Sequence, residues 1–92
     1  MDNKELFLNL IKELGKSIEK NKRITAISRE RLQNILERAA VKVQRQNQTV
    51  ELEAQVTYQK LHAYISLEKI KLAKNEVEFL KELDKISHSK CV

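Results

Sequence analysis

Apolar residues recur at three- and four-residue steps along most of the chain, the spacing that places side chains on one face of an α-helix. The first such stripe predicts a helix over about 3–21, and the carboxylates of Asp2 and Glu5 favour its start. The stripe consists of Leu6, Phe7, Leu10, Ile11, Leu14 and Ile18. Cations accumulate toward Asn21 and the periodicity then stops, so a connector is expected at 22–27.

A second helix is predicted over about 26–46, with Thr25 or Ser28 as its N-cap. Its apolar positions fit the same 3.6-residue period. They are Leu32, Ile35, Leu36, Ala39, Ala40 and Val43. The polar residues that follow contain neither Gly nor Pro, so they fit either a turn or the middle of one very long helix. A break near 46–50 is favoured, with Thr49 capping the next helix.

A seven-residue repeat runs through the last part of the chain, as is typical of a coiled-coil helix. Its positions are Tyr58, Ile65, Leu72, Phe79 and Ile86. A second series, Val56, Ala63, Ile70 and Val77, lies about 160° away around the helix. The pattern predicts a third helix over about 50–87, on the order of 55 Å long and apolar on two sides. Two shorter helices of the same chain would leave part of it uncovered.

Composition supports helices, because Pro is absent, Gly occurs once and 41% of the residues are hydrophobic. The expected fold is all-α: a single domain over 1–92, formed by an antiparallel bundle of two or three helices with a long, coiled-coil-like C-terminal helix and a tail at 88–92. The side chains expected to be buried are Leu10, Leu14, Leu32, Leu36, Val43, Ile65, Leu72 and Phe79. The uncovered apolar surface predicts a homo-oligomer, in the simplest case a dimer. Its interface is predicted to include Tyr58, Ile65, Ile70, Leu72, Val77 and Phe79.

The positive charge is concentrated in one part of the chain. The sequence has 18 Lys and Arg against 13 Asp and Glu, a net charge of +5. Residues 16–45 contain nine of these cations and three of the anions, whereas the rest of the chain has no excess of cations. Within the second predicted helix, four cations fall inside an arc of about 60° that is turned away from the apolar stripe. This basic ridge consists of Arg31, Arg38, Lys42 and Arg45.

Three interpretations of the basic ridge remain open: contact with nucleic-acid phosphates, contact with an acidic protein, or a solvated helix face. No aromatic residue is interleaved with the ridge, so it does not suit stacking on single-stranded bases. A helix-turn-helix over 24–40 is a further alternative, with Ser28, Arg29 and Arg31 on its recognition helix.

Few enzymatic motifs are compatible with this sequence. A single glycine, Gly15, rules out a phosphate-binding loop, and there is no nucleophile elbow or paired-cysteine motif. His88 and Cys91 have a spacing that suits two zinc ligands, but only His62 remains to complete a site. A helical mutase of the chorismate type would need cations inside a pocket, whereas the ridge faces outward. We expect no enzyme, no cofactor and no metal.

The cellular setting is expected to be the cytoplasm. Cys91 is the only cysteine, which excludes a disulfide framework within the chain and suits a reducing compartment. The sequence shows no secretory signal and no apolar stretch long enough for a membrane span. The predicted function is a non-enzymatic, oligomerising regulatory or assembly protein whose basic helix face contacts nucleic acid. The alternative is a structural adaptor that binds an acidic protein partner through helical packing.

Overall fold

The computed structural model describes residues 3–45 and 49–88, which form four α-helices with no strand among them. The helices are α1 (Asn3–Lys20), α2 (Ala26–Gln44), α3 (Val50–Glu68) and α4 (Lys74–Ser87). Each helix packs against the next one in the chain, and α4 also packs against α1 and closes the bundle. Short connections make consecutive helices antiparallel neighbours. The all-α prediction is confirmed, with four helices in place of two or three.

Some predicted features lie outside the described residues. They are the first-turn carboxylate Asp2, positions 46–48 of the expected break, and the tail beyond His88 with its cysteine, Cys91. The assignment of the whole chain to a single domain stays a prediction.

Threonine side chains cap the N-termini of two helices, α2 and α3. Thr25 Oγ1 accepts a hydrogen bond of 3.2 Å from the backbone N–H of Ser28, and Thr49 Oγ1 accepts one of 3.2 Å from Leu52. Each bond satisfies an N–H group that has no partner within the first helical turn. Of the two N-caps considered for the second helix, Thr25 occupies that position, whereas Ser28 is buried inside α2.

The long third helix predicted over 50–87 is wrong, because the chain reverses direction between α3 and α4. Lys69 ends α3 in the left-handed conformation, with φ 53° and ψ 43°, and the backbone N–H of Ile70 bonds to the carbonyl of Ile65 at 3.0 Å. A side chain in this conformation costs about 1–2 kcal/mol. The reversal buries the apolar face of α4, and each large apolar side chain that becomes buried contributes about 1.5–3 kcal/mol. Burial therefore outweighs the cost of the turn.

Each helix contributes at least one fully buried apolar side chain to a shared core. Among them are Phe7, Leu32, Leu61 and Leu83, none of which is more than 1% exposed. Four of the eight side chains predicted to be buried are at most 2% exposed: Leu14, Leu32, Leu36 and Val43. The other four, Leu10, Ile65, Leu72 and Phe79, are partly buried and pack against the core.

Candidate functional site

The basic ridge lies on the outer side of α2. The buried residues of this helix form the opposite stripe, which faces the core and includes Leu32 and Leu36. Arg31, Arg38 and Arg45 are exposed, and Lys42 is partly buried. Within the described residues, none of these four cations lies within 4.0 Å of a carboxylate oxygen. Their charged groups are therefore not committed to ion pairs inside the bundle.

A shallow groove of about 520 Å³ follows this side of α2. It is lined by Asn34, Glu37, Arg38, Val41, Lys42 and Arg45. Val41 is 38% exposed and gives the groove an apolar surface. Arg31 does not line the groove and instead borders a separate depression with Ile27 and Glu30. The groove thus brings together three of the four predicted cations and adds uncharged and acidic groups that the charge pattern did not single out.

A smaller pocket of about 80 Å³ lies beside the groove, between α2 and α3. Arg38 and Lys42 line both. The other residues that line the pocket are Asn34, Ile35, Ala39, Glu53, Thr57 and Lys60. Glu53 is only 2% exposed, so the pocket combines a buried carboxylate with cations on side chains that reach solvent.

The carboxylate of Glu53 is only partly satisfied. Its Oε2 atom accepts a hydrogen bond of 3.2 Å from Thr57 Oγ1, whereas Oε1 is buried and has no hydrogen-bond partner among the described residues. The three cations that line the pocket, Arg38, Lys42 and Lys60, have no nitrogen within 4.0 Å of it. Burying an ionised carboxylate without a positive partner costs several kcal/mol. The pocket is therefore chemically suited to accept a hydrogen-bond donor.

Glu53 was not among the residues singled out from the sequence, because a carboxylate in the first turn of a helix ordinarily serves the helix dipole. The periodicity nevertheless contained a signal. Ala54, Thr57 and Leu61 lie on the buried face of α3, and Glu53 lies on the same face at the helical spacing. A carboxylate that falls on a buried stripe indicates a polar group that needs a partner.

A second buried carboxylate, Glu76, lies where the end of α1 meets the start of α4. It is 1% exposed and accepts three hydrogen bonds: 2.6 Å from Ser17 Oγ, 2.8 Å from Asn21 Nδ2 and 2.9 Å from the backbone N–H of Ala73. Asn75 Nδ2 donates to Ser17 Oγ at 2.9 Å and extends the network. These bonds satisfy both oxygens of Glu76 and hold α4 against α1.

A cleft of about 540 Å³ borders the Glu76 network. Its rim carries four cations, which are Lys16, Lys20, Lys22 and Arg23. All four are exposed to solvent. The polar groups at the base of this cleft already bond to one another, so the cleft has no buried group that lacks a partner among the described residues.

Two residues considered for a helix-turn-helix serve inside the bundle. Arg29 donates from Nη2 to the carbonyls of Asn21 and Ile24, at 3.1 and 3.0 Å, and from Nε to that of Ile18 at 3.4 Å. It therefore satisfies carbonyls at and beyond the end of α1. Ser28 is 7% exposed. Neither side chain is free to contact a nucleic acid, so the recognition-helix alternative is not supported.

The residues of the predicted oligomer interface are mostly covered by the chain itself. The side chains of Tyr58, Ile65, Ile70, Leu72 and Phe79 pack against the core, whereas Val77 is 39% exposed. The interface was inferred from a single long helix, and the fold divides that segment into α3 and α4. In the second heptad series, Val56 and Ile70 are partly buried, whereas Ala63 and Val77 are exposed.

The two histidines have neighbours that do not form a metal site. The His62 ring stacks on Tyr58 with a centroid distance of 5.8 Å, and His88 Nε2 lies 3.3 Å from Asp84 Oδ1. In the described ranges, no three His, Cys, Asp or Glu side chains are grouped so that they could hold a metal ion. No helix in these ranges has the length and apolar character needed to cross a membrane.

Comparison with known proteins yields one family. The sequence model described as the bacteriocin immunity protein family matches residues 1–88, a range that contains all four helices. No curated protein matches the chain.

Proposed function

The chain therefore belongs to the bacteriocin immunity protein family, and on that premise we propose that it protects a cell against a bacteriocin by binding a protein partner. The observation that carries the proposal is the extent of the match, which includes every helix of the bundle and both buried carboxylates. Bacteriocin immunity proteins are not an enzyme family. A binding role agrees with that family character.

The function predicted from the sequence is wrong. A bacteriocin immunity protein is neither an oligomerising regulatory or assembly protein nor a nucleic-acid binder. The adaptor role given as the alternative is not retained either, whereas the contact predicted for the residues of the basic ridge stays a prediction. The basic ridge alone was not sufficient to predict nucleic-acid binding, because a one-sided cluster of Lys and Arg on a helix is compatible with many partners.

The groove on α2 and the adjoining pocket are the proposed contact surface. Three features support this choice: cations without ion-pair partners among the described residues, an exposed valine, and a buried carboxylate with an unpartnered oxygen. A surface with apolar, positive and negative groups close together suits a polypeptide partner, since protein interfaces combine these groups.

The function can be tested by expressing the protein in a bacterium that is sensitive to bacteriocins and challenging it with a panel of purified toxins. We expect the inhibitory concentration of at least one toxin to rise relative to cells with an empty vector. If the folded protein accumulates and no inhibitory concentration changes for any toxin of the panel, the proposal is contradicted.

Two arginines on α2 provide a matched pair for locating the contact surface. Arg38 lines the groove and the pocket, whereas Arg31 lines neither. Both side chains are exposed, so Arg38→Gln and Arg31→Gln should each change stability by less than about 0.5 kcal/mol. We expect Arg38→Gln to weaken protection and Arg31→Gln to leave it unchanged. Equal protection by both variants would place the contact elsewhere.

A further inference from the structure

The α2–α3 pocket is lined by charged side chains of both signs. Its lining includes Glu53, whose Oε1 atom has no hydrogen-bond partner among the described residues. Around it stand Arg38, Lys42 and Lys60, none of which forms an ion pair with Glu53. The lining of the pocket therefore combines one buried carboxyl group with three basic side chains.

We propose that this pocket binds the ammonium or guanidinium group of a lysine or arginine side chain of the partner protein, flanked on the partner by acidic residues. The proposal rests on the proposed function, because it specifies the chemistry of that partner. The basic head group enters the pocket and bonds to the carboxylate of Glu53, and the acidic neighbours face the cations of the lining. Each charged group of the pocket then faces a group of opposite charge on the partner. Such electrostatic complementarity favours the matching partner over others.

The size of the pocket limits what can enter it. Its volume is about 80 Å³, against about 520 Å³ for the neighbouring groove. An ammonium or guanidinium group is small enough, and it supplies the N–H donors and positive charge that a buried carboxylate requires. An aromatic ring carries no such charge and is larger than the head group of either basic side chain.

The surrounding cations explain why acidic neighbours are part of the proposal. Arg38, Lys42 and Lys60 repel a basic side chain that approaches alone, since like charges close together are unfavourable. Carboxylates beside that basic side chain convert the repulsion into attraction. A segment with alternating acidic and basic residues therefore fits the pocket better than a purely basic one.

Short peptides test this recognition directly. The probe is N-acetyl-Asp-Arg-Asp-amide, and its control replaces the arginine with citrulline, which is neutral and nearly the same shape. With carboxyl-¹³C-labelled glutamate, the Glu53 resonance should shift saturably on addition of the arginine peptide at millimolar concentration. We expect the citrulline peptide to bind at least about tenfold more weakly. Equal binding of both peptides, or no binding of either, would overturn the proposal.

The variant Glu53→Gln separates a binding carboxylate from one that is paired within the chain. Its matched control is Glu68→Gln, which removes the same charge from an exposed position on α3. We expect Glu53→Gln to lose at least about tenfold in affinity for the arginine peptide and to melt at the same temperature as wild type or higher. Glu68→Gln should retain binding. If Glu53→Gln melts clearly lower and still binds the peptide, Glu53 is an internal ion-pair partner and the proposal is wrong.

These outcomes are distinguishable from failure of the proposed function. The peptide experiment uses purified protein and requires no bacteriocin. If wild-type protein protects against no toxin but discriminates arginine from citrulline, the immunity proposal fails while the pocket chemistry stands. If it protects but does not discriminate, only the pocket chemistry fails.

Discussion

Two glutamates are almost equally buried in this bundle, yet their surroundings differ. Glu76, between α1 and α4, accepts hydrogen bonds from two side chains and a backbone N–H. Glu53, beside the pocket between α2 and α3, accepts one bond from Thr57, and its second oxygen has no partner among the described residues. Burial alone therefore does not distinguish a carboxylate with both oxygens bonded within the fold from one with an unsatisfied oxygen.

The two helix junctions differ in how completely their buried polar groups are hydrogen-bonded. At the α1–α4 junction, the polar groups satisfy one another, and substitution of Glu76 leaves its three donors without their acceptor. At the α2–α3 junction, one carboxylate oxygen of Glu53 accepts a hydrogen bond from Thr57, and the other is buried without a hydrogen-bond partner among the described residues. We infer that the first junction serves stability and the second serves recognition at the expense of stability.

The largest effect is expected from Glu76→Ala. This change leaves the donors of Ser17, Asn21 and Ala73 unsatisfied, so the free energy of unfolding should fall by about 3 kcal/mol. Urea denaturation followed by circular dichroism measures it. Glu78→Ala is the control, because Glu78 is on the same helix with its side chain 58% exposed. If Glu76→Ala lowers the free energy of unfolding by less than about 1 kcal/mol, the α1–α4 junction does not have the stabilising role that distinguishes it from the α2–α3 junction.

An opposite effect is expected at the other junction. Replacing Glu53 with Met removes the unsatisfied oxygen at the cost of the single hydrogen bond from Thr57, so the free energy of unfolding should rise by about 1 kcal/mol. The same denaturation experiment detects the change. A decrease would mean that Glu53 is already paired in the folded chain, and both buried glutamates would then be structural.

The smallest effect concerns the turn that brings Glu76 to α1. Glycine adopts the left-handed conformation of Lys69 without a steric cost, so Lys69→Gly should stabilise the protein by about 1 kcal/mol. In one continuous helix, the same substitution would destabilise by about 1 kcal/mol. Lys71→Gly is the control, since Lys71 does not have a positive φ. The sign of the change therefore tests the reversal between α3 and α4.

The sequence predicted the first two helices well, because Leu14, Ile18, Leu32 and Leu36 define single apolar stripes that a core must cover. The apolar periodicity did not predict the turn between α3 and α4. A heptad repeat that runs through Ile65, Leu72 and Phe79 is compatible with a continuous helix and also with a hairpin in which both halves face one core. The left-handed residue that ends α3 is a lysine, whereas glycine is the residue that usually indicates such a helix end in a sequence.

The candidate site was less predictable because it depends on groups that are distant in the sequence. Arg38 and Lys42 were identified from the charge pattern, but their proximity to Glu53 follows from the packing of α2 on α3. The two side chains that donate to Glu76 are likewise distant in the sequence: Ser17 lies in α1, 59 positions away, and Asn21 follows the end of that helix. No local pattern indicates which of two buried carboxylates will find such donors.

The most direct test of this account is the protection conferred by Glu53→Gln on cells that contain the same amount of folded protein as wild type. With the toxin against which wild type protects, we expect Glu53→Gln to lose most of the protection while its free energy of unfolding is equal to or above that of wild type. Full protection by Glu53→Gln would contradict the assignment of Glu53 to partner recognition.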